Sequence, residues 1–248
     1  LITVRDQQSA KLLIQIGIKP ERVHVVSDPA FLLPETKPFD NNLTQDLADR
    51  QLVGIFPTWG VCANGDFSQA IKIARVLDYF HEKNALCFMA FPMRVRDGEM
   101  DDAKFSAIIQ SQMKYPAALK IYNKRLSPSE LKWVAGKMLF NITVRLHAMI
   151  FSLGAGVPVV AINYEPKVAN VFAAFDCPQY LVEMDDEFEE SLKSAITCCL
   201  NNLSTYRGKI KEVVAEVGKR AMHTFDLMDA LNFPTAAFVN EKGTEIQG

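Results

Sequence analysis

No run of apolar residues in this 248-residue chain approaches the roughly 20 that a membrane-spanning helix needs. Nor is there an excess of positive charge. The formal net charge is -2, so no global basic field exists to neutralise a phosphate backbone, which argues against a nucleic-acid binder. The five cysteines, Cys62, Cys87, Cys177, Cys198 and Cys199, form no CxxC pair and no metal-ligand spacing, so reduced cytosolic thiols are the plain reading. Internal repeats and low-complexity segments are also missing. The first residues, Leu1-Ile2-Thr3-Val4, carry no initiating Met and no leader, as if cut inside a domain. What is present is a composition of 49% hydrophobic and 23% charged residues, enough to bury a full core in one to two domains.

The stretch from Met138 to Lys167 organises the rest. Met138 to Val144 is too short and too apolar for a surface helix and suits a buried strand of a parallel sheet. Ala148 to Leu153 is compatible with a helix that closes on Gly154 and Gly156. Pro158 then introduces a second apolar run, Val159 to Ile162. Arg145 and His147 therefore fall where a parallel strand hands over to a helix, and in open α/β sheets ligands bind at the carboxyl ends of strands.

Upstream, Leu1 to Val4 reads as a strand and Ser9 to Ile16 as a helix stopped by Gly17. Val23 to Val26 reads as a second strand, ended by Ser27-Asp28-Pro29. Residues 1–33 are expected to be the end of a first Rossmann-like domain, and 34–50, polar and rich in turn residues, an interdomain linker with one short helix. From Leu52 strands and helices alternate. Strands are expected at Leu52–Phe56, Ala85–Phe91 and Leu119–Tyr122, and helices at Phe67–Phe80, Asp102–Gln112 and Ser129–Ala135. The last is begun by Ser127-Pro128 as cap and first turn. Val168–Phe175 continues as helix, Tyr180–Val182 as strand, and Phe188 to about Leu231 as one long helical region. This alternation implies a doubly wound parallel sheet over 51–233, followed by a polar tail, 234–248.

Arg5-Asp6 with Ser9 and Gly17, Asp28-Pro29-Ala30-Phe31, Arg145-Leu146-His147-Ala148, Gly156-Val157-Pro158 and Tyr164-Glu165-Pro166-Lys167-Val168 follow one another in the order typical of polysaccharide pyruvyl transferases. The sequence resembles that family over almost its whole length, and the ordered set is more specific than any one motif. Two positions depart from the family. The loop Phe56-Pro57-Thr58-Trp59-Gly60 lacks an arginine often found there, and Thr143 stands where a glycine is common.

The resemblance implies a glycosyltransferase-B-like fold and transfer of a pyruvyl group from phosphoenolpyruvate to two sugar hydroxyls, forming a ketal. The acceptor would belong to a cell-surface polysaccharide or exopolysaccharide, or to its lipid-linked precursor. The implied setting is the cytoplasm, at the inner membrane face with peripheral membrane association, and no cofactor or metal beyond the donor substrate. Arg145 and His147 carry the catalytic expectation, with Arg5, Leu146, Tyr164 and Lys167 on the donor. The chemistry agrees with those residue types. A planar guanidinium suits bidentate recognition of a carboxylate or phosphate, and an imidazole titrating near neutrality suits proton transfer.

Read singly, each residue has a plainer account. Arg145 reads as an exposed ion pair, His147 as a cap or a buried imidazole, Lys167 as a solvated turn residue, and Arg5-Asp6 as a local salt bridge. Two other functions remain open. One is sugar transfer from a nucleotide-activated donor, with the Gly154–Pro158 loop and Glu165 facing a ribose or diphosphate. The other is a non-catalytic scaffold of the same fold.

Overall fold

The computed structural model describes residues 1–49, 51–62, 66–94 and 101–231. The expected polar tail, 234–248, lies outside them. The chain divides into two compact units, Leu1–Pro29 with Gly218–Gly248, and Ala30–Val217.

In the smaller unit, strands β1 (Ile2–Val4) and β2 (Val23–Val25) pair in parallel, Thr3 opposite His24, and helix α1 (Gln7–Gln15) connects them. Asp6 caps this helix by accepting hydrogen bonds from the Ser9 amide at 2.8 Å and the Ser9 hydroxyl at 2.9 Å. The helix ends as expected at Gly17, whose φ of 96° is one that side-chain-bearing residues rarely adopt.

The larger unit is built on six parallel strands: β3 (Leu52–Phe56), β4 (Cys87–Ala90), β5 (Leu119–Ile121), β6 (Asn141–Thr143), β7 (Val159–Asn163) and β8 (Leu181–Glu183). Their order across the sheet is β5-β4-β3-β6-β7-β8. The chain thus lays strands outward from β3 in one direction, then returns and lays β6 to β8 in the other. The crevice between the carboxyl ends of β3 and β6 is the topological switch point, the place where such sheets bind ligands.

Helices cover both faces, which is why the strands are almost uninterruptedly apolar. The alternation of period two sorts them. Val53 and Ile55 of β3 point into a core completed by α3 (Ser68–Asn84), α4 (Asp102–Gln112), α7 (Pro166–Phe172) and α8 (Phe188–Asn201). Leu52 and Phe56 point into a second core with α5 (Pro128–Ala135). Helix α6 (Leu146–Gly154) contributes to both, with Leu146 and Met149 in the first and Ala148 and Phe151 in the second. Helix α5 opens with the expected Ser127-Pro128 start. The Ser127 hydroxyl accepts from the Glu130 amide and Glu130 accepts from the Ser127 amide, a closed capping box.

Three features add to or differ from the sequence expectation. The short helix expected in the linker is α2 (Asn41–Asp49), but it packs as part of the larger unit, with Leu43 and Leu47 buried in the second core. Its two apolar residues lie one turn apart, so they form a face that must be covered. Phe31, expected with the first domain, belongs to the larger unit, where the buried Lys132 ammonium donates to the carbonyls of Phe31 and Leu33 at 2.9 and 2.7 Å. Burial lowers the Lys132 pKa. The long helical region after Phe188 is broken at Asn202, whose side-chain amide turns back to the Cys198 carbonyl, giving α8 and α9 (Leu203–Asp229). Among the described residues no helix is long and apolar enough to cross a membrane.

Candidate active site

Strand β6 delivers the chain to the switch point. Thr143 pairs with Phe56 of β3, and the Val144 amide donates to the Phe56 carbonyl at 3.1 Å. Arg145 follows in an extended conformation as the N-cap of α6, its carbonyl accepting from the Met149 amide at 3.1 Å. An arginine carries no acceptor, so its side chain does not cap the helix as Ser or Asp would. The opening turn of α6 therefore directs backbone amides and the positive end of the helix dipole to the carboxyl edge of the sheet.

The side chain of Arg145 is fixed by a residue 43 positions away. Its Nε and Nη2 donate to the two oxygens of Asp102 at 2.8 and 2.7 Å. Asp102, at the start of α4, is fully buried, and its carboxylate also accepts from the backbone amides of Trp59 at 3.0 Å and Arg94 at 2.8 Å. One carboxylate thus ties together the loops after β3, β4 and β6. Such a charge is tolerable in the interior because it is paired and hydrogen-bonded at both oxygens. A guanidinium has two forked edges. Asp102 takes the one formed by Nε and Nη2, which leaves Nη1 and the second Nη2 hydrogen as an end-on fork for an external anion.

The remaining expected residues take different positions. His147 stands in the first turn of α6, exposed, with its ring centroid 6.2 Å from that of Phe151 one turn on. Leu146 turns its side chain into the core and is 4% exposed, so any contact it makes with a ligand runs through its backbone. Tyr164 follows β7 and lies over the loop after β3, where a Cβ on Gly60 would stand 3.2 Å from its ring. Burial, with its hydrogen bond to Glu165, pushes the Tyr164 hydroxyl up to about 12. Glu165 also pairs with Lys167, whose ammonium, together with Tyr164, holds the Glu165 carboxyl below the usual range. The charge of Lys167 is thereby committed to a neighbour. Arg5 lies in the smaller unit, where it pairs with Asp28 across the two strands at 3.1 Å, while Asp6 is taken up in capping α1.

The Gly154–Pro158 loop lies at the other edge of the sheet. Helix α6 runs back from the carboxyl end of β6, so its last residues reach the amino end of β7, where the Pro158 carbonyl accepts from the Asn141 amide at the start of β6. Glu165, after β7, is at the carboxyl edge. The two therefore lie at opposite edges of the sheet and do not flank one ribose or diphosphate. A cavity of about 370 Å³ opens at the carboxyl edge between the loops after β3, β7 and β8, with Gly60, Asn163, Tyr164, Glu183 and Asp185 in its wall. Among the described residues no group of three or more His, Cys, Asp or Glu could hold a metal ion.

Asp102 is the residue that sequence reasoning missed, although a signal exists. Asp101 and Asp102 are consecutive, and Asp101 alone suffices as cap of α4, accepting from the Ala103 amide at 2.7 Å. The second aspartate is surplus to the helix.

The open, doubly wound parallel sheet defines the fold class, and solved structures share that fold. UDP-N-acetylglucosamine 2-epimerase from Neisseria meningitidis, bound to UDP-GlcNAc, aligns over 91% of this chain and 59% of its own, with 11% identity and a TM-score of 0.59. HepE from Anabaena, in complex with UDP and glucose, aligns over 93% and 62%, with 16% identity and a TM-score of 0.62. WaaG, a glycosyltransferase involved in lipopolysaccharide biosynthesis, aligns over 91% and 61%, with 12% identity and a TM-score of 0.55. The fold is glycosyltransferase-B-like, and the chain spans about three fifths of the length of these structures. The sequence model of the polysaccharide pyruvyl transferase family matches residues 1–166, and the chain belongs to that family.

Proposed function

We propose that the protein transfers a pyruvyl group from phosphoenolpyruvate to two hydroxyls of a cell-surface polysaccharide or of its lipid-linked precursor. The donor would lie at the carboxyl edge of the six-stranded sheet. The observation that carries this reading is the Arg145–Asp102 pair at the switch point, which holds a guanidinium whose end-on fork has no hydrogen-bond partner among the described residues, beside the opening of α6 that the Arg145 side chain does not cap. That arrangement suits an anion with a planar or tetrahedral array of oxygens.

Ketal formation asks for three proton movements, one onto carbon and one from each of two hydroxyls. The methylene carbon of phosphoenolpyruvate must gain a proton, which makes its enol carbon electrophilic. Each attacking hydroxyl must then lose one as its oxygen bonds that carbon, and the phosphate departs. His147, exposed in the first turn of α6 and two residues from Arg145, is the group that moves these protons. A donor anion on Arg145 and the helix amides would lie within reach of this imidazole. The cavity beside Tyr164 offers the sugar room and carboxylate acceptors for its hydroxyls. A lipid-linked acceptor would place the reaction at the inner face of the membrane.

Replacing His147 with Gln or Ala tests the assignment. The expected outcome is a kcat lower by about 10²–10⁴-fold with little change in donor affinity, and loss of one limb of the pH profile. A near-normal kcat with both limbs present would show His147 to be structural, whereas no turnover in the wild-type protein would favour the scaffold reading.

A further inference from the structure

We propose that Arg94 is a second anion-binding arginine of this site, its Nε–H donating to one anionic group of the donor while the end-on fork of Arg145 holds the other. The inference rests on the donor reading above and names a residue outside the family's ordered motifs.

Three observations lead to it. First, the cations already placed at this edge are compensated. Arg145 is paired with the buried Asp102 and Lys167 with Glu165, so neither pair carries net charge. Phosphoenolpyruvate has both a carboxylate and a phosphate, and a single guanidinium fork satisfies one of them. Second, Arg94 is fastened to the same carboxylate that orients Arg145. Its backbone amide donates to Asp102 Oδ2 at 2.8 Å, and its carbonyl accepts from the Asp102 amide at 3.0 Å. It leaves the carboxyl end of β4, and β4 and β6 flank β3 on either side, so Arg94 and Arg145 stand on the two strands adjoining the first strand at the switch point. Third, the Nε of Arg94 is shielded from solvent and has no hydrogen-bond partner among the described residues. A charged donor hidden from water without an acceptor is costly, and native proteins seldom retain one unless a ligand or ion supplies the missing oxygen. An oxyanion bound between Arg94 and the opening turn of α6 supplies it.

The test is calorimetric titration of the full chain with phosphoenolpyruvate and, separately, with inorganic phosphate, for the wild type, Arg94→Ala and Arg94→Lys, with thermal midpoints measured alongside. Arg94→Ala is expected to weaken phosphoenolpyruvate binding about 10- to 100-fold. Arg94→Lys should recover only part of this, because an ammonium has the charge but not the Nε donor, and both midpoints should stay near that of the wild type. Native affinity in Arg94→Ala, or full affinity in Arg94→Lys, overturns the proposal. A wild-type chain that binds phosphate but not phosphoenolpyruvate removes the donor reading, yet supports Arg94 as an anion site if Arg94→Ala loses the phosphate. A chain that binds neither anion overturns both.

Discussion

Replacing Asp102 with Asn changes one oxygen to an amide nitrogen and leaves the shape intact. Oδ1 accepts from the Trp59 amide and Arg145 Nη2, and Oδ2 from the Arg94 amide and Arg145 Nε. Whichever oxygen becomes nitrogen, two donors then face a donor. Two hydrogen bonds to a charged acceptor are lost, each worth about 1.5–3 kcal/mol, and the guanidinium of Arg145, whose side chain is 24% exposed, loses its counter-charge. Removing one partner of a buried pair costs about 3–5 kcal/mol, so Asp102→Asn is expected to destabilise by about that amount. For a chain of this length the thermal midpoint should fall by about 6–20 °C. Circular dichroism melts of wild type and variant measure it, with Glu190→Gln as control. Glu190 pairs with Lys193 on the exposed side of α8, its own side chain 78% exposed, and its loss should cost less than about 1 kcal/mol. If Asp102→Asn melts within a degree or two of the control, the three loops are held by something other than this carboxylate.

Two further outcomes follow from the packing and the charges. Gly54→Ala should destabilise by about 2–4 kcal/mol, because its Cβ would stand 2.0 Å from Asn141 Oδ1 and 2.9 Å from Met138 Cγ in a close-packed core; urea unfolding checks it, and Asn141→Ala in the same chain should return part of the loss. Asp40 accepts hydrogen bonds from Lys124, the Leu43 amide and Tyr122, and Lys124 foremost lowers its pKa to about 2. A carboxylate with a depressed folded pKa stabilises fully above its unfolded pKa near 4, and that contribution fades as pH falls towards 2. The thermal midpoint of Asp40→Asn should accordingly fall less steeply than that of the wild type between about pH 4 and pH 2, and equal slopes would contradict the assignment.

Much of the larger unit was legible because its signals are local. Short apolar runs bounded by charges and turns marked β3 to β8, and the Arg145-Leu146-His147 triplet marked the handover from β6 to α6. What escaped depends on contacts between distant residues. The partner of Arg5 is Asp28, 23 positions on, and not its neighbour Asp6, because Asp6 is drawn into the cap of α1. Asp102 reaches Arg145 only once β3, β4 and β6 lie side by side. The sequence places Gly154–Pro158 close to Glu165, yet the run of α6 and β7 separates them to opposite edges of the sheet. The polar stretch before β3 conceals Leu43 and Leu47, whose helical spacing builds a buried face within an otherwise hydrophilic segment.

The most direct test of the account is the structure of the protein crystallised with phosphoenolpyruvate. The account predicts donor density at the carboxyl edge of the sheet, with an anionic group about 2.7–2.9 Å from the end-on fork of Arg145 and the methylene carbon facing His147, while Asp102 keeps the other edge of the guanidinium. Donor density at another place in the chain, or an Arg145 fork without ligand at saturating donor, would contradict it.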